Sequence, residues 1–183
     1  MDKGMQNNSI ALQKEEDKTV FPAWFFKSAI TLLMSPGKFF SQGDFGREYR
    51  SPLYFLIICS LISTFLSSIY IVENQLFLLT LNLANAFIMP FITSFILYLI
   101  INLIFQKTLT YAFLFGITAY ASVTLLFSWI PGLSLFVGVW HYCLIGIGLT
   151  KAARLSTLKT FLLILASLVV LLLFMKLTGV IMQ

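Results

Sequence analysis

The chain has 183 residues, of which 59% are hydrophobic, 16% aromatic and only 10% charged. Soluble domains carry about 45–50% apolar and about 25% charged residues. Here 12 basic and 7 acidic side chains are too few to clothe a water-soluble globule, and the mean hydropathy of +0.93 points the same way. The expectation is an integral membrane protein. Each membrane-crossing helix needs roughly 20 apolar residues, so five would consume about 100 and leave no room for a folded catalytic domain outside the bilayer.

Residues 1–20 are polar and mixed in charge, with the run Lys14–Glu15–Glu16–Asp17–Lys18. They bury too little apolar surface to offset ordering and read as a cytoplasmic tail. They show no basic n-region followed by an apolar h-region, so no cleavable signal peptide is expected. Phe21–Met34 is too short to span. Its aromatic start and Lys27 predict an amphipathic helix in the headgroup region. Ser35–Pro36 ends it, because proline pushes the preceding residue out of the helical region. Residues 21–50 thus form an interfacial helix and linker, the linker carrying Phe39–Phe40 and then polar residues.

Residues 51–183 hold five apolar segments, at about 52–71, 83–105, 111–130, 133–149 and 161–177. Their length without charge predicts helices, since a barrel strand is about half as long and alternates in polarity. Pro52 suits the opening turn of the first. Pro90 should kink the second, and Pro131–Gly132 should close the third. Phe77–Leu81 reads either as an interfacial turn or as an extension of the second helix. The fold class is therefore all-α and polytopic, with five transmembrane helices plus the N-terminal interfacial helix. Eleven of the twelve lysines and arginines fall on one side of this threading and only Lys176 on the other. The positive-inside rule then puts the N-terminus in the cytoplasm and the C-terminus outside.

No Asp or Glu follows Glu73. Proton relays and coupled pumps usually place an ionisable group in the membrane, and the second to fifth segments offer only His141 besides Lys176 at the very end of the fifth. Intramembrane metalloprotease and aspartyl-protease chemistry needs paired His or Asp sets, a bis-histidine haem needs a second histidine, and a serine nucleophile needs a base. No catalytic residue, cofactor or metal site is expected. His141 reads either as an imidazole hydrogen-bonded across a helix interface or as a polar contact lining a cavity. Cys143 is two residues away on another face, a poor metal pair. Asn82, Asn85 and Asn102 read as interhelical hydrogen-bond formers or as cavity residues. Gly132, Gly138, Gly146 and Gly148 are small positions where a neighbouring helix can approach. Cys59 and Cys143 lie in apolar runs and suggest no disulfide. Seven basic residues before the first span are offset by six acids, so anionic lipid is attracted modestly and nucleic acid is not implied.

The order of features resembles the Yip family, the Ypt/Rab-interacting five-helix membrane proteins, in its prokaryotic branch. The carrying residues are Ser35–Pro36–Gly37–Lys38–Phe39–Phe40, then Ala119–Tyr120–Ala121–Ser122, Pro131, Trp140, Gly146–Ile147–Gly148–Leu149 and Leu155–Ser156–Thr157–Leu158–Lys159. The resemblance covers about residues 25–178 and implies the five-helix topology and a prokaryotic cytoplasmic membrane. Prokaryotic members often have proline after the Tyr-Ala-Ser triplet. This chain has Val123, so no proline imposes a break in the third helix. The short N-terminal region argues against the Rab-type GTPase partner of eukaryotic relatives.

Two functions follow as expectations. One is a non-enzymatic membrane scaffold that associates with membrane lipids, with itself or with other membrane proteins. The other is a small transporter, channel or lipid-translocating protein with a polar path near Asn82, Asn85, Pro90, Asn102, Tyr120 and His141. The remaining candidate packing or polar-path positions are Ser35, Pro36, Phe39, Phe40, Pro131, Trp140, Gly146 and Gly148.

Overall fold

The computed structural model describes residues 21–43, 45, 49–70, 76–104, 109–130 and 132–177. The tail at 1–20, Glu73, Pro131 and most of the polar linker lie outside the described residues. The described chain is all-helical, with seven α-helices and no strand among the described residues. They are α1 (Phe21–Met34), α2 (Pro36–Gln42), α3 (Arg50–Ser67), α4 (Leu76–Ile104), α5 (Tyr111–Ala121), α6 (Ser134–Lys151) and α7 (Thr157–Leu177). Two 3₁₀ segments extend them: Ser68–Tyr70 after α3 and Ser122–Phe127 after α5.

Local chemistry explains several boundaries. Pro36 occupies the first turn of α2, where its missing N–H costs nothing. The Ser35 carbonyl accepts from the Lys38 and Phe39 amides, each at 3.1 Å. Residues that the sequence places in a linker thus make a two-turn helix. At α5, Thr110 caps the start, its hydroxyl accepting from the Phe113 amide at 3.4 Å. Phe77–Leu81 belongs to α4, which begins at Leu76. With 29 residues, α4 is about 43 Å long at 1.5 Å per residue. It carries Pro90 within it.

The helices run in alternating directions. Tyr98 faces Tyr111 (6.3 Å between rings) and Phe91 faces Phe115 (4.6 Å), so α4 and α5 are antiparallel. Phe55 meets Tyr120 at 5.0 Å while Ser63 reaches Ser128 at 3.1 Å, so α3 runs parallel to α5 and its extension. Helix α4 packs on α3, α5 and α7, and α6 packs on α2, α5 and α7. Among the described residues, two helices, Arg50–Ser67 and Leu76–Leu103, are long and apolar enough to cross a membrane by length and composition.

The bundle has two ends. One gathers the starts of α3, α5 and α7 and the finishes of α4 and α6, and there α2 is inserted against α6. Lys38, Arg50, Lys151, Arg154 and Lys159 fall at this end, and Lys176 falls at the other. Helix α1 does not lie apart. It buries Phe25, Ala29 and Leu32 in the main core and leaves Phe26, Ile30 and Met34 exposed.

Candidate functional site

The basic end is knit together by aromatic rings. Phe39, Phe45 and Phe55 surround Tyr120 with ring centroids 5.0, 5.7 and 5.0 Å away. Phe25 lies 5.0 Å from Phe55, which joins α1 to the cluster. Such offset and edge-on pairs favour ordered packing. Phe40 is fully buried against Gly148 of α6. A Cβ at Gly148 would come within 2.5 Å of Ile117 and 3.3 Å of the Phe40 ring, so only glycine lets α2, α5 and α6 meet there. Gly146 does the same more mildly, with Ile164 of α7 at 3.0 Å. A small polar cleft of about 260 Å³ opens beside this cluster, between Trp24, Ser28, Ser51 and Tyr120.

The opposite half is held by hydroxyls. At Ser122 the chain switches from α to 3₁₀ winding without a proline. The Thr118, Ser122 and Thr124 hydroxyls donate back to the Leu114, Thr118 and Ala121 carbonyls at 3.2, 3.2 and 3.1 Å. This back-bonding weakens the regular ladder. His141 of α6 completes the switch: its Nδ1 lies 3.1 Å from the Ala121 carbonyl and 3.1 Å from the Thr124 hydroxyl. A carbonyl can only accept, so Nδ1 carries the proton and donates. Facing this, Pro90 has no N–H to offer the Ala86 carbonyl one turn earlier. The Pro90 carbonyl accepts from the Ser94 hydroxyl, which also meets Thr118 Oγ1.

Between these elements lies a cleft of about 330 Å³. It is walled by Asn85, Ala86, Pro90 and Thr93 of α4, by Ser122, Thr124, Leu125 and Ser128 of the α5 extension, and by Gly138, His141 and Tyr142 of α6. Side chains three apart eclipse in a 3₁₀ helix, and this aligns Ser122, Leu125 and Ser128 along one wall. An apolar groove of about 570 Å³ adjoins it, sharing Thr124 and Val137 and lined further by Phe127, Leu135, Phe136 and Trp140.

The Yip1 domain family model matches residues 30–178. The chain belongs to the Yip family. No curated protein and no solved structure matches it. Family membership and the apolar helices make it an integral membrane protein.

In this Yip-family chain three of the resemblance motifs, distant in sequence, meet at one place. Ser35 and Pro36 start α2, Phe39 and Phe40 drive it into the bundle, and Tyr120 and Gly148 receive it. Asn85, Pro90 and His141 line the other cleft together, but Tyr120 and Asn102 do not. Asn102 sits half-buried towards the end of α4, and Trp140 lines the apolar groove. Gly132 and Gly138 have open space beyond them, so neither is a close-approach position. The hydroxyls at Thr93, Ser122, Thr124 and Ser128 escape a search for charged groups. Their signal is serine and threonine recurring two and four residues apart, Ser122, Thr124 and Ser128, inside an apolar run. Among the described residues no three His, Cys, Asp or Glu side chains are grouped to hold a metal ion.

Proposed function

We propose that this chain is a non-enzymatic membrane-organising protein that threads the bilayer five times, through α3, α4, α5 with its 3₁₀ extension, α6 and α7. The basic end faces the cytoplasm, consistent with the charge asymmetry. The observation that carries the reading is the docked α1–α2 pair. It adds helical volume against α3 and the 3₁₀ extension, and the Phe26, Ile30 and Met34 face remains exposed. An apolar wedge in one leaflet expands that leaflet relative to the other, which is how a small protein can shape or sort membrane. Lipids and further copies of the chain or other membrane proteins are the proposed partners.

The test is reconstitution into vesicles imaged by electron microscopy, with crosslinking in native membranes alongside. The wild-type chain should narrow vesicle diameters and give a defined crosslinked species. The triple variant Phe26→Ser, Ile30→Ser, Met34→Ser should lose the effect on diameter, because these side chains are exposed and are not needed for the core. Unchanged vesicles together with a strictly monomeric, partnerless chain would refute the proposal.

A second reading, facilitated passage of a solute, draws support from the cleft shared by Asn85, Pro90 and His141. Liposome flux decides it: if ions, small solutes and labelled lipid all stay in place, this reading fails.

A further inference from the structure

The turn from α6 to α7 carries Lys151, Arg154 and Lys159, all exposed. No Asp or Glu occurs anywhere after Glu73 to offset them, whereas the N-terminal basic residues are interspersed with acids. The Lys151 side chain lies along α2. Its Cε stands 3.9 Å from where a Cβ on Gly37 would be, beside the exposed Lys38. Arg154 has a φ of 51°, the one left-handed non-glycine among the described residues. A side chain crowds the backbone in that conformation, and glycine is the relaxed choice. Ala153 and Leu155 on either side are buried, and the Leu155 amide returns to the Leu149 carbonyl at 3.4 Å. The backbone is thus pinned on both sides of an exposed arginine that stands where glycine would relieve strain.

Beside this turn the surface changes from charged to apolar. Leu158, Leu162, Leu165 and Val169 are exposed and recur at i, i+4, i+7 and i+11, which is one stripe of a helix. Phe161, also exposed, flanks it. From Leu158 to Val169 the stripe runs about 16 Å, close to half of the roughly 30 Å hydrocarbon core, the depth of one leaflet. An acidic protein or a polynucleotide would match the charges and leave the stripe uncovered. A zwitterionic lipid would cover the stripe and leave the charges unbalanced. We infer that the α6–α7 corner is a binding site for an anionic phospholipid, its phosphate held by Arg154 together with Lys151 and Lys159 and an acyl chain laid along the α7 stripe. The inference rests on the five-span threading proposed above, which sets this turn at a membrane surface, and it names the lipid class among the partners proposed there. Guanidinium is the group suited to the phosphate, since its planar fork can donate two parallel hydrogen bonds.

The test is native mass spectrometry of the full-length chain in detergent, titrated with phosphatidylglycerol and phosphatidylcholine of identical acyl chains. Each basic residue at the surface is worth roughly fivefold in affinity for anionic lipid. Phosphatidylglycerol should therefore bind at least about fivefold tighter than phosphatidylcholine, and the excess should shrink at high salt. Arg154→Gly relaxes the backbone, so the melting temperature should hold or rise while the preference falls about fivefold. A merely structural arginine would not move stability and binding in opposite directions. Arg154→Lys keeps the charge and should retain most of the preference. The double variant Lys151→Gln, Lys159→Gln, at exposed positions, should lower it further, whereas Lys176→Gln at the other end of α7 should leave it unchanged. Glycerol phosphate carries the same anion without the chains and should not displace the lipid at equal concentration. Equal binding of the two phospholipids, an undiminished preference in Arg154→Gly, or displacement by glycerol phosphate would each overturn the inference. A chain that narrows vesicles but shows no headgroup preference would refute this site alone. One that keeps the preference and leaves vesicles unchanged would refute only the shaping role.

Discussion

The two halves of the bundle are built on different principles. At the basic end, Phe39, Phe40, Phe45, Phe55 and Tyr120 interlock and Gly148 gives up its side chain to let three helices meet. At the other end, contact is made through hydroxyls, one imidazole and a proline, and clefts of about 330 and 570 Å³ remain. Lipid tails are as apolar as a helix surface, so helices associate in a membrane by close packing and interhelical hydrogen bonds. The first half uses mainly packing and the second uses hydrogen bonds. The half built on packing leaves a cleft of about 260 Å³, whereas the half built on hydrogen bonds leaves the larger spaces.

Substitutions can break or sharpen this contrast. The largest effect is expected for Phe40→Ala, which removes a fully buried ring and should cost about 3–5 kcal/mol, measured by denaturant or thermal unfolding in detergent. Gly148→Leu forces a side chain where Ile117 already stands 2.5 Å from the first added carbon. Overpacking of that kind costs about 1–3 kcal/mol and should loosen α2 from α6, seen as faster proteolysis of the N-terminal segment. His141→Leu removes the Nδ1 bond to Ala121. The global loss should be only about 1 kcal/mol, typical of an interhelical hydrogen bond in a membrane, and amide exchange should rise locally in Ser122–Phe127. Smallest is Gly138→Ala, which meets open space and trades glycine for a better helix former. It should leave stability unchanged or raise it by up to about 1 kcal/mol. If Gly138→Ala proved as damaging as Gly148→Leu, the contrast between the halves would be gone.

The apolar helices were legible because hydrophobic length alone signals them. Their ends were less so. Leu76–Leu81 extends α4 although Asn82 and Asn85 interrupt the run, since exposed polar residues do not stop a helix whose backbone bonds are satisfied. The α2 turn was hidden because seven residues are too few for any periodicity to show. The switch at Ser122 was hidden for a different reason. Its cause is not a proline in the segment but hydroxyl back-bonding plus a donor on another helix, His141, and no local reading of residues 111–130 contains that contact. Phe39, Phe40, Tyr120 and Gly148 were visible through their resemblance motifs, but their meeting in one cluster required the tertiary structure. The wall of Ser122, Thr124 and Ser128 is not legible in the sequence because neutral hydroxyls in an apolar run carry no charge signal.

The 3₁₀ segment also changes the reach of its element. Eleven residues of α5 rise about 1.5 Å each, and the six that follow rise about 2.0 Å each. The pair therefore extends about 28 Å, some 3 Å beyond what continuous α winding would give. In the five-span threading proposed above, unwinding by about half an ångström per residue would bring this undersized segment near to hydrophobic match. It relieves a mismatch that would otherwise cost fractions of a kcal/mol per ångström of thinned bilayer.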